Sequence, residues 1–272
     1  MNVFQGLCLG VLQGLTEFLP VSSSGHLVLA QHFFGIRESQ LFFDVAVHTG
    51  TLVAVVLVFR HDLLEILRDS FRTLQHYCPG RSQASVEQYG RGTRLAAMIV
   101  IGSVPTAVIG LLFREAFERA FSSPTVAGLG LWLTALLLLW SRWPLRKHSA
   151  RNTLHFIDAL LVGLAQGAAI TPGLSRSGST IATGLLRGLD ADLAFRFSFL
   201  LSLPAIFGAS VLELRHVGVD YLQWQVVAAG FFSALVVGWL ALRLLRAVVS
   251  KGKLFYFAPY CALLGTLALI FS

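Results

Sequence analysis

Apolar residues run along this chain in long blocks, without the alternation of strands or the one-sided stripe of soluble helices. A membrane-crossing helix needs about 20 mostly apolar residues. Six blocks come near that length: 41–59, 95–113, 125–141, 192–212, 224–242 and 254–271. Asp44 lies within the first and Arg196 within the fourth, which starts at Asp192. Two further regions are apolar but broken. Residues 3–36 run as an apolar arm, then EFLPVSSSGH, then LVLAQHFFG. Residues 156–189 run as FIDALLVGLAQGAAI, then TPGLSRSGS, then TIATGLLRGL. The second arms, of about ten residues, are too short to cross. Both regions are therefore predicted to be re-entrant hairpins of two half-helices. Non-helical backbone at membrane depth is tolerated only where protein buries it or it lines a wet cavity. The expected fold is an all-α integral membrane protein with six transmembrane helices and two re-entrant helical hairpins, in a single membrane domain over 1–272.

Composition agrees with this reading. Only 13% of the residues are charged and mean hydropathy is +0.71, whereas a soluble domain carries about 25% charged residues. The net charge of +7 reports basic loops, so it gives no argument for nucleic acid as a partner. Segment 60–94 holds six arginines, and 142–155 and 243–253 hold four basic residues each. Segments 114–124 and 213–223 are close to neutral. Six spans put the three basic segments on one side, expected to be the cytoplasm, and both termini outside. The first hairpin would then enter from outside and the second from inside. Within 60–94, an amphipathic helix near 62–77 is expected to lie on the inner surface. The first residues lack the basic region of a cleavable signal peptide. The three cysteines, Cys8, Cys78 and Cys261, are too widely spaced for a zinc pattern and make no disulfide framework.

The two broken regions match one another at an offset of 153. Gly10, Gln13 and Gly14 correspond to Gly163, Gln166 and Gly167; Val21, Ser22, Ser24 and Gly25 correspond to Leu174, Ser175, Ser177 and Gly178. Three spans follow each hairpin. Three is odd, so the second copy is expected to be inverted relative to the first, with halves of about 1–142 and 155–272. Inverted repeats with broken helices meeting near the midplane are a transporter architecture.

The polar residues of the breaks carry the candidate chemistry. Ser22, Ser23 and Ser24 can cap a half-helix starting near His26, and Ser175, Ser177 and Ser179 one starting near Thr180. Free amides and the positive helix end would then face each turn, which suits an anion. Arg176 adds a guanidinium whose fork matches phosphate oxygens. A charge between apolar arms is a functional hypothesis by default, although a structural ion pair, with Glu17 as partner, would also account for it. Gln13 stands one turn before Glu17 and shares its face. Asp44 and His48 are likewise one turn apart; they line the same cavity or mark the wet end of a helix. A serine could attack phosphorus, with a histidine or glutamate taking its proton. Arg176 and backbone amides would stabilise the transition state. Alternatively, Glu17 holds a hard divalent ion that bridges phosphate oxygens. Spacing alone leaves both routes open.

At these residues the chain resembles a known family. QGLTEFLPVSSSGH and PGLSRSGST are similar to the two signature segments of the undecaprenyl-diphosphate phosphatases, the integral membrane bacitracin-resistance family. The first motif is carried by Gln13, Glu17, Pro20, Ser22, Ser23 and His26, and the second by Pro172, Gly173, Ser175, Arg176, Ser177 and Thr180. FFDVAVHTGTLVAV and FSFLLSLPA extend the resemblance. It implies hydrolysis of the C55 isoprenyl diphosphate to the monophosphate and inorganic phosphate, recycling the lipid carrier for envelope polymers. It also implies a divalent cation, Mg2+ or Ca2+, and a bacterial inner-membrane location with the site open toward the periplasm. Carried over by position, Ser23 is the nucleophile candidate, Glu17 and His26 its acid/base or metal-linked partners, and Arg176 the phosphate clamp. Ser22, Ser24, Gly25, Gly173, Ser175, Ser177 and Thr180 would bind the diphosphate, with Gln13, Asp44, His48 and Gln166 lining the cavity. Gln13 stands where other members have Glu, which weakens any mechanism needing two carboxylates in that motif. The expected partners are a polyprenyl diphosphate lipid and the membrane, with a homodimer left open. The rival function is a polyprenyl-phosphate lipid flippase, which would need the binding groups without the nucleophile.

Overall fold

The computed structural model describes residues 1–23, 25–27, 30, 34, 41–76, 90–121, 123–142, 150–214 and 223–271. Among these the chain is helical throughout, apart from turns and one isolated parallel bridge between Arg151 and Leu189. The helices are α1 (Val3–Thr16), α2 (Leu41–Val58), α3 (Arg60–His76), α4 (Arg91–Leu112), α5 (Arg114–Phe121) and α6 (Pro124–Trp140). They continue with α7 (Phe156–Ala168), α8 (Arg176–Leu186), α9 (Ala191–Leu214), α10 (Trp224–Ser250) and α11 (Ala258–Ile270).

Among the described residues, four helices are long and apolar enough to cross a membrane: α2, α4, α9 and α10. A fifth span results if α5 and α6 are counted as one bent unit. The expected span at 125–141 is helical over its full predicted length but for Ser141, as α6, whereas the one at 254–271 is α-helical only from Ala258 to Ile270. Ser123 caps α6 and Pro124 occupies its first position, the place where a missing N–H costs nothing. Ahead of α11, Leu254–Phe257 form a tighter 3-10 turn.

Both broken regions are broken in the structure as well. α1 ends at Thr16, residues 17–21 form a turn, and helix resumes at Ser23, three residues before the expected start near His26. α7 ends at Ala168, 169–175 turn, and α8 follows. The helix starts are built alike. Asn2 caps α1 through a reciprocal pair with Gln5, each bond 2.9 Å, and the His155 amide at the start of α7 donates to Asp158 at 3.1 Å.

Glycine seams set the packing. Gly6, Gly10 and Gly14 face Val226, Gly230 and Ala234–Gly238 on α10, so closely that a methyl on Gly14 would meet Ala234 O at 2.8 Å. In the second broken region Gly163 lies against Gly102 and Gly167 against Ile109, both on α4. A third seam joins Gly128 on α6 to Gly265 on α11. Lipid tails are as apolar as leucine, so small residues that let backbones approach are what hold such helices together. The first broken region is thus held by a helix late in the chain, and the second by a helix early in it. Between them lies a buried aromatic cluster in which Phe18 meets Phe199 edge-on at 5.6 Å and Phe195 meets Phe199 at 4.8 Å. Phe18 follows Glu17 directly, so this cluster walls the site.

α3 runs close to its expected limits and is amphipathic. Its polar face is tied down: Asp69 accepts from the Gly92 amide at 2.9 Å, Thr73 bonds Thr93 at 3.0 Å, and Asp62 pairs with Arg196 of α9. Leu64, Leu67, Phe71 and Leu74 are exposed along the other side, the pattern of a helix lying in an interface.

Candidate active site

Four side chains from three places in the chain converge on Glu17. Gln13, one turn back on α1, donates from Nε2 to Glu17 Oε2 at 3.0 Å. Ser23, from the far side of the turn, donates from Oγ to the same oxygen at 2.8 Å. Arg176, the first residue of α8, places Nη2 2.6 Å from Glu17 Oε1. His48 on α2 turns Nε2 toward Oε2 at 3.9 Å, while its Nδ1 donates to Asp44 O at 2.8 Å. Glu17 and Arg176 thus form the ion pair that stood as the alternative account of Arg176, and the pair joins the two broken regions.

Two atoms beside this carboxylate are buried and have no hydrogen-bond partner: Arg176 Nη1 and Gln13 Oε1. A buried polar atom without a partner is costly and calls for an explanation. One is a charged donor, the other a neutral acceptor, and they lie on groups bonded to opposite oxygens of Glu17. An anion would satisfy the first, and a cation or donor the second.

The second turn is fixed in detail. Gly173 sits at φ 84°, beside Ala127 of α6. Thr134 of α6 donates to Gly173 O at 3.1 Å and accepts from the Ser175 amide at 2.9 Å. Ser175 Oγ then takes the Gly178 amide at 3.2 Å, so α8 starts at Arg176. That is four residues before the expected start near Thr180. The cap lies earlier because Pro172 and Gly173 complete the turn within the sequence TPGLS. The amides of Arg176 and Ser177 are left at the positive end of α8, as first-turn amides always are. Ser177 bonds Ser175 at 3.3 Å. Thr180 faces away from the turn, bonding Arg176 O at 2.8 Å and Ser198 of α9 at 2.5 Å.

The other candidates divide. Ser22 is buried and has φ 68°, left-handed backbone that is unfavourable for any residue with a Cβ. Ser24 lies outside the described residues. Gly25 has open space around it. His26 bonds neither Ser23 nor Glu17. Its Nδ1 lies 2.8 Å from Ser22 O and its Nε2 2.6 Å from the Tyr260 hydroxyl on α11. Gln166 is not at the Glu17 cluster; it donates to Thr106 and to Leu201 O, both at 3.3 Å. The repeat places Ile170 where Glu17 stands in the first hairpin, so Gln166 has no carboxylate one turn on. Thr134 and Tyr260 were not legible as site residues, since each is one of several scattered hydroxyls in an otherwise apolar block.

These features define a multi-pass, all-helical membrane protein with a carboxylate–arginine–serine centre between two broken helices. The chain belongs to the bacitracin resistance protein BacA family, whose model matches residues 6–267. It is 44% identical over 271 residues to the undecaprenyl-diphosphatase of Desulforapulum autotrophicum, covering 99% of this chain and 98% of that one. It is 43% identical over 281 residues to that of Carboxydothermus hydrogenoformans, with 99% and 97% covered. With the undecaprenyl-diphosphatase of Methanosphaera stadtmanae it shares 36% identity over 273 residues, covering 100% and 99%.

Proposed function

We propose that this protein is a hydrolase that cleaves undecaprenyl diphosphate to undecaprenyl phosphate and inorganic phosphate, returning the lipid carrier to envelope synthesis. The observation that carries the reading is the convergence of Ser23, Gln13 and Arg176 on Glu17, with Arg176 Nη1 left over as a charged donor. Full-length likeness to proteins named undecaprenyl-diphosphatase supports the substrate.

In the mechanism we favour, Glu17 Oε2 takes the proton of Ser23 Oγ as that oxygen bonds the terminal phosphorus. The bond from this phosphorus to the bridging oxygen breaks, and undecaprenyl phosphate leaves with the electron pair and takes the proton from Glu17, which is a carboxylate again. Water then attacks the phosphoserine, Glu17 takes its proton, and the proton passes to Ser23 Oγ as inorganic phosphate departs. Arg176 Nη1 and the first amides of α8 stabilise the charge on the equatorial oxygens. They belong to a fixed turn, so no reorganisation is needed at the moment of reaction.

A divalent cation, Mg2+ or Ca2+, fits the donors present. Gln13 Oε1 is unpartnered and Glu17 is a carboxylate, and hard cations take oxygens of both kinds. Among the described residues no group of three His, Cys, Asp or Glu could hold a metal ion. Such an ion would therefore rest on Gln13, Glu17, phosphate oxygens and water, which suits Mg2+ in particular. When bound, it would neutralise phosphate charge that one arginine already paired to Glu17 cannot.

We further read the architecture as six spans and two re-entrant hairpins in inverted halves of about 1–142 and 155–272, in the bacterial inner membrane with the site open toward the periplasm. The matching caps of α1 and α7 and the reciprocal glycine seams support the repeat, and the basic segments support the orientation. The test of the function is phosphate release from C55 or farnesyl diphosphate by the purified protein in detergent, with and without EDTA. Metal-dependent release supports the reading. No release from folded protein under any metal condition would overturn it in favour of lipid transport.

A further inference from the structure

α11 reaches the first hairpin through two adjacent residues. Cys261 Sγ donates to Pro20 O at 3.2 Å. Tyr260 places its hydroxyl 2.6 Å from His26 Nε2, and the two rings stack at 14° with centroids 5.8 Å apart. The opposite nitrogen, Nδ1, lies 2.8 Å from Ser22 O. A backbone carbonyl can only accept, so Nδ1 carries the hydrogen. In the neutral ring Nε2 is then the acceptor and Tyr260 the donor. Held at both nitrogens and on one face, the imidazole has a single tautomer and a single orientation.

The residue that receives the Nδ1 hydrogen matters. Among the described residues, Ser22 alone combines a side chain with left-handed backbone, at φ 68°, and such conformations persist only where surroundings over-determine them. Here His26 holds its carbonyl and Cys261 holds Pro20 two residues earlier. The next residue is Ser23, whose Oγ meets Glu17 at 2.8 Å. A continuous line of contacts therefore runs from Tyr260 to His26, to the Ser22 backbone, and to the orientation of Ser23.

We propose that Tyr260 is a positioning residue for the reaction: its hydroxyl holds the His26 ring in place and, through it, the Ser22 backbone that presents Ser23 to Glu17. This rests on the phosphatase reading of the Glu17 site. It gives His26 a structural place in the site, because both of its nitrogens are engaged away from Ser23.

Tyr260→Phe keeps the ring and its stack and removes only the hydroxyl. Its kcat on farnesyl diphosphate is expected to fall about tenfold, the rate equivalent of one lost hydrogen bond, with KM little changed. In protein labelled with 15N-histidine, the His26 Nε2 signal, assigned by its loss in His26→Gln, is expected to shift as that nitrogen loses its donor, while Nδ1 stays protonated. Because Tyr260 acts through His26, adding Tyr260→Phe to His26→Gln should cost nothing further. An unchanged His26 signal in Tyr260→Phe, or additive losses in the double variant, would overturn the proposal. A folded parent protein that releases no phosphate would sink the phosphatase reading instead, and the histidine signal would still decide whether Tyr260 holds the His26 ring.

Discussion

Arg176 and Glu17, 159 positions apart in sequence, make a 2.6 Å ion pair that joins the two broken helices at the candidate site. Arg176 is 18% exposed and Glu17 6%, so neither charge is well solvated. Removing one partner leaves the other uncompensated, a loss of about 3–5 kcal/mol for a buried pair. Arg176→Ala is therefore expected to lower the melting temperature in detergent and to reduce phosphate release at least 100-fold, roughly the cost of removing one transition-state donor. Arg176→Lys should restore much of the melting temperature and little of the rate. An ammonium supplies the charge but not a second donor aimed past Glu17. Equal recovery of both would show that Arg176 serves only as a structural counter-ion.

Ser23 and Ser175 occupy comparable places beside the two turns but engage different partners. Ser23→Ala is expected to abolish release to about the level of a nucleophile deletion, 10³-fold or more, while the protein stays folded. Ser175→Ala removes the cap of α8 and should cost about 1 kcal/mol of stability, with a rate loss no larger than the misplacement of Arg176 produces. Phosphate release and thermal melting on both variants decide the assignment. Full activity in Ser23→Ala would move the attack to water.

Gln13 is the lesser oxygen donor at the site. Gln13→Ala should raise the Mg2+ concentration needed for half-maximal release by about 10-fold, the lower end for loss of a metal-supporting group, and leave the rate at saturating Mg2+ within a few-fold of the parent. An unchanged Mg2+ titration would exclude Gln13 Oε1 from the cation's surroundings.

Asp158 seals the other end of the second hairpin. It is fully buried and accepts from Arg151 at 3.2 and 3.3 Å, from Arg187 at 3.0 Å and from the His155 amide at 3.1 Å. Arg151 also holds Gly188 and Asp190 by backbone bonds of 2.9 Å. In the first hairpin the corresponding positions are Gln5 and Phe34, joined by one bond of 3.4 Å from Gln5 Nε2 to Phe34 O. Both arginines are at least a third exposed, which screens the pairs. Asp158→Asn is thus expected to cost about 2 kcal/mol, below the figure for fully buried pairs, and Gln5→Ala under about 1 kcal/mol. Thermal melting of the two variants checks the asymmetry.

Much of this was legible in the sequence, and the reason is physical. Pro, Gly and Ser cannot be spread through apolar arms without interrupting them, so both breaks stood out. Glu17 and Arg176 were legible as partners because each would otherwise be a lone charge in an apolar setting. The start of α8 was read four residues late because any of three serines could have capped it. The choice of Ser175 depends on Thr134 and on the left-handed Gly173, contacts that sequence does not display. Tyr260 was hidden for a related reason: one hydroxyl in an apolar block reads as an interface aromatic, and its histidine partner lies 234 positions away.

The glycine seams also bear on how the protein is made. α1 leaves the ribosome long before the surface it packs on, Val226 to Gly238 of α10. Its turn then waits for Cys261 and Tyr260, later still. The second hairpin has no such delay, since its partner α4 is already present when α7 emerges. During translation the half of the centre bearing Arg176 can settle first, and the half bearing Glu17 must be held in the membrane without its final neighbours until α10 and α11 have been inserted.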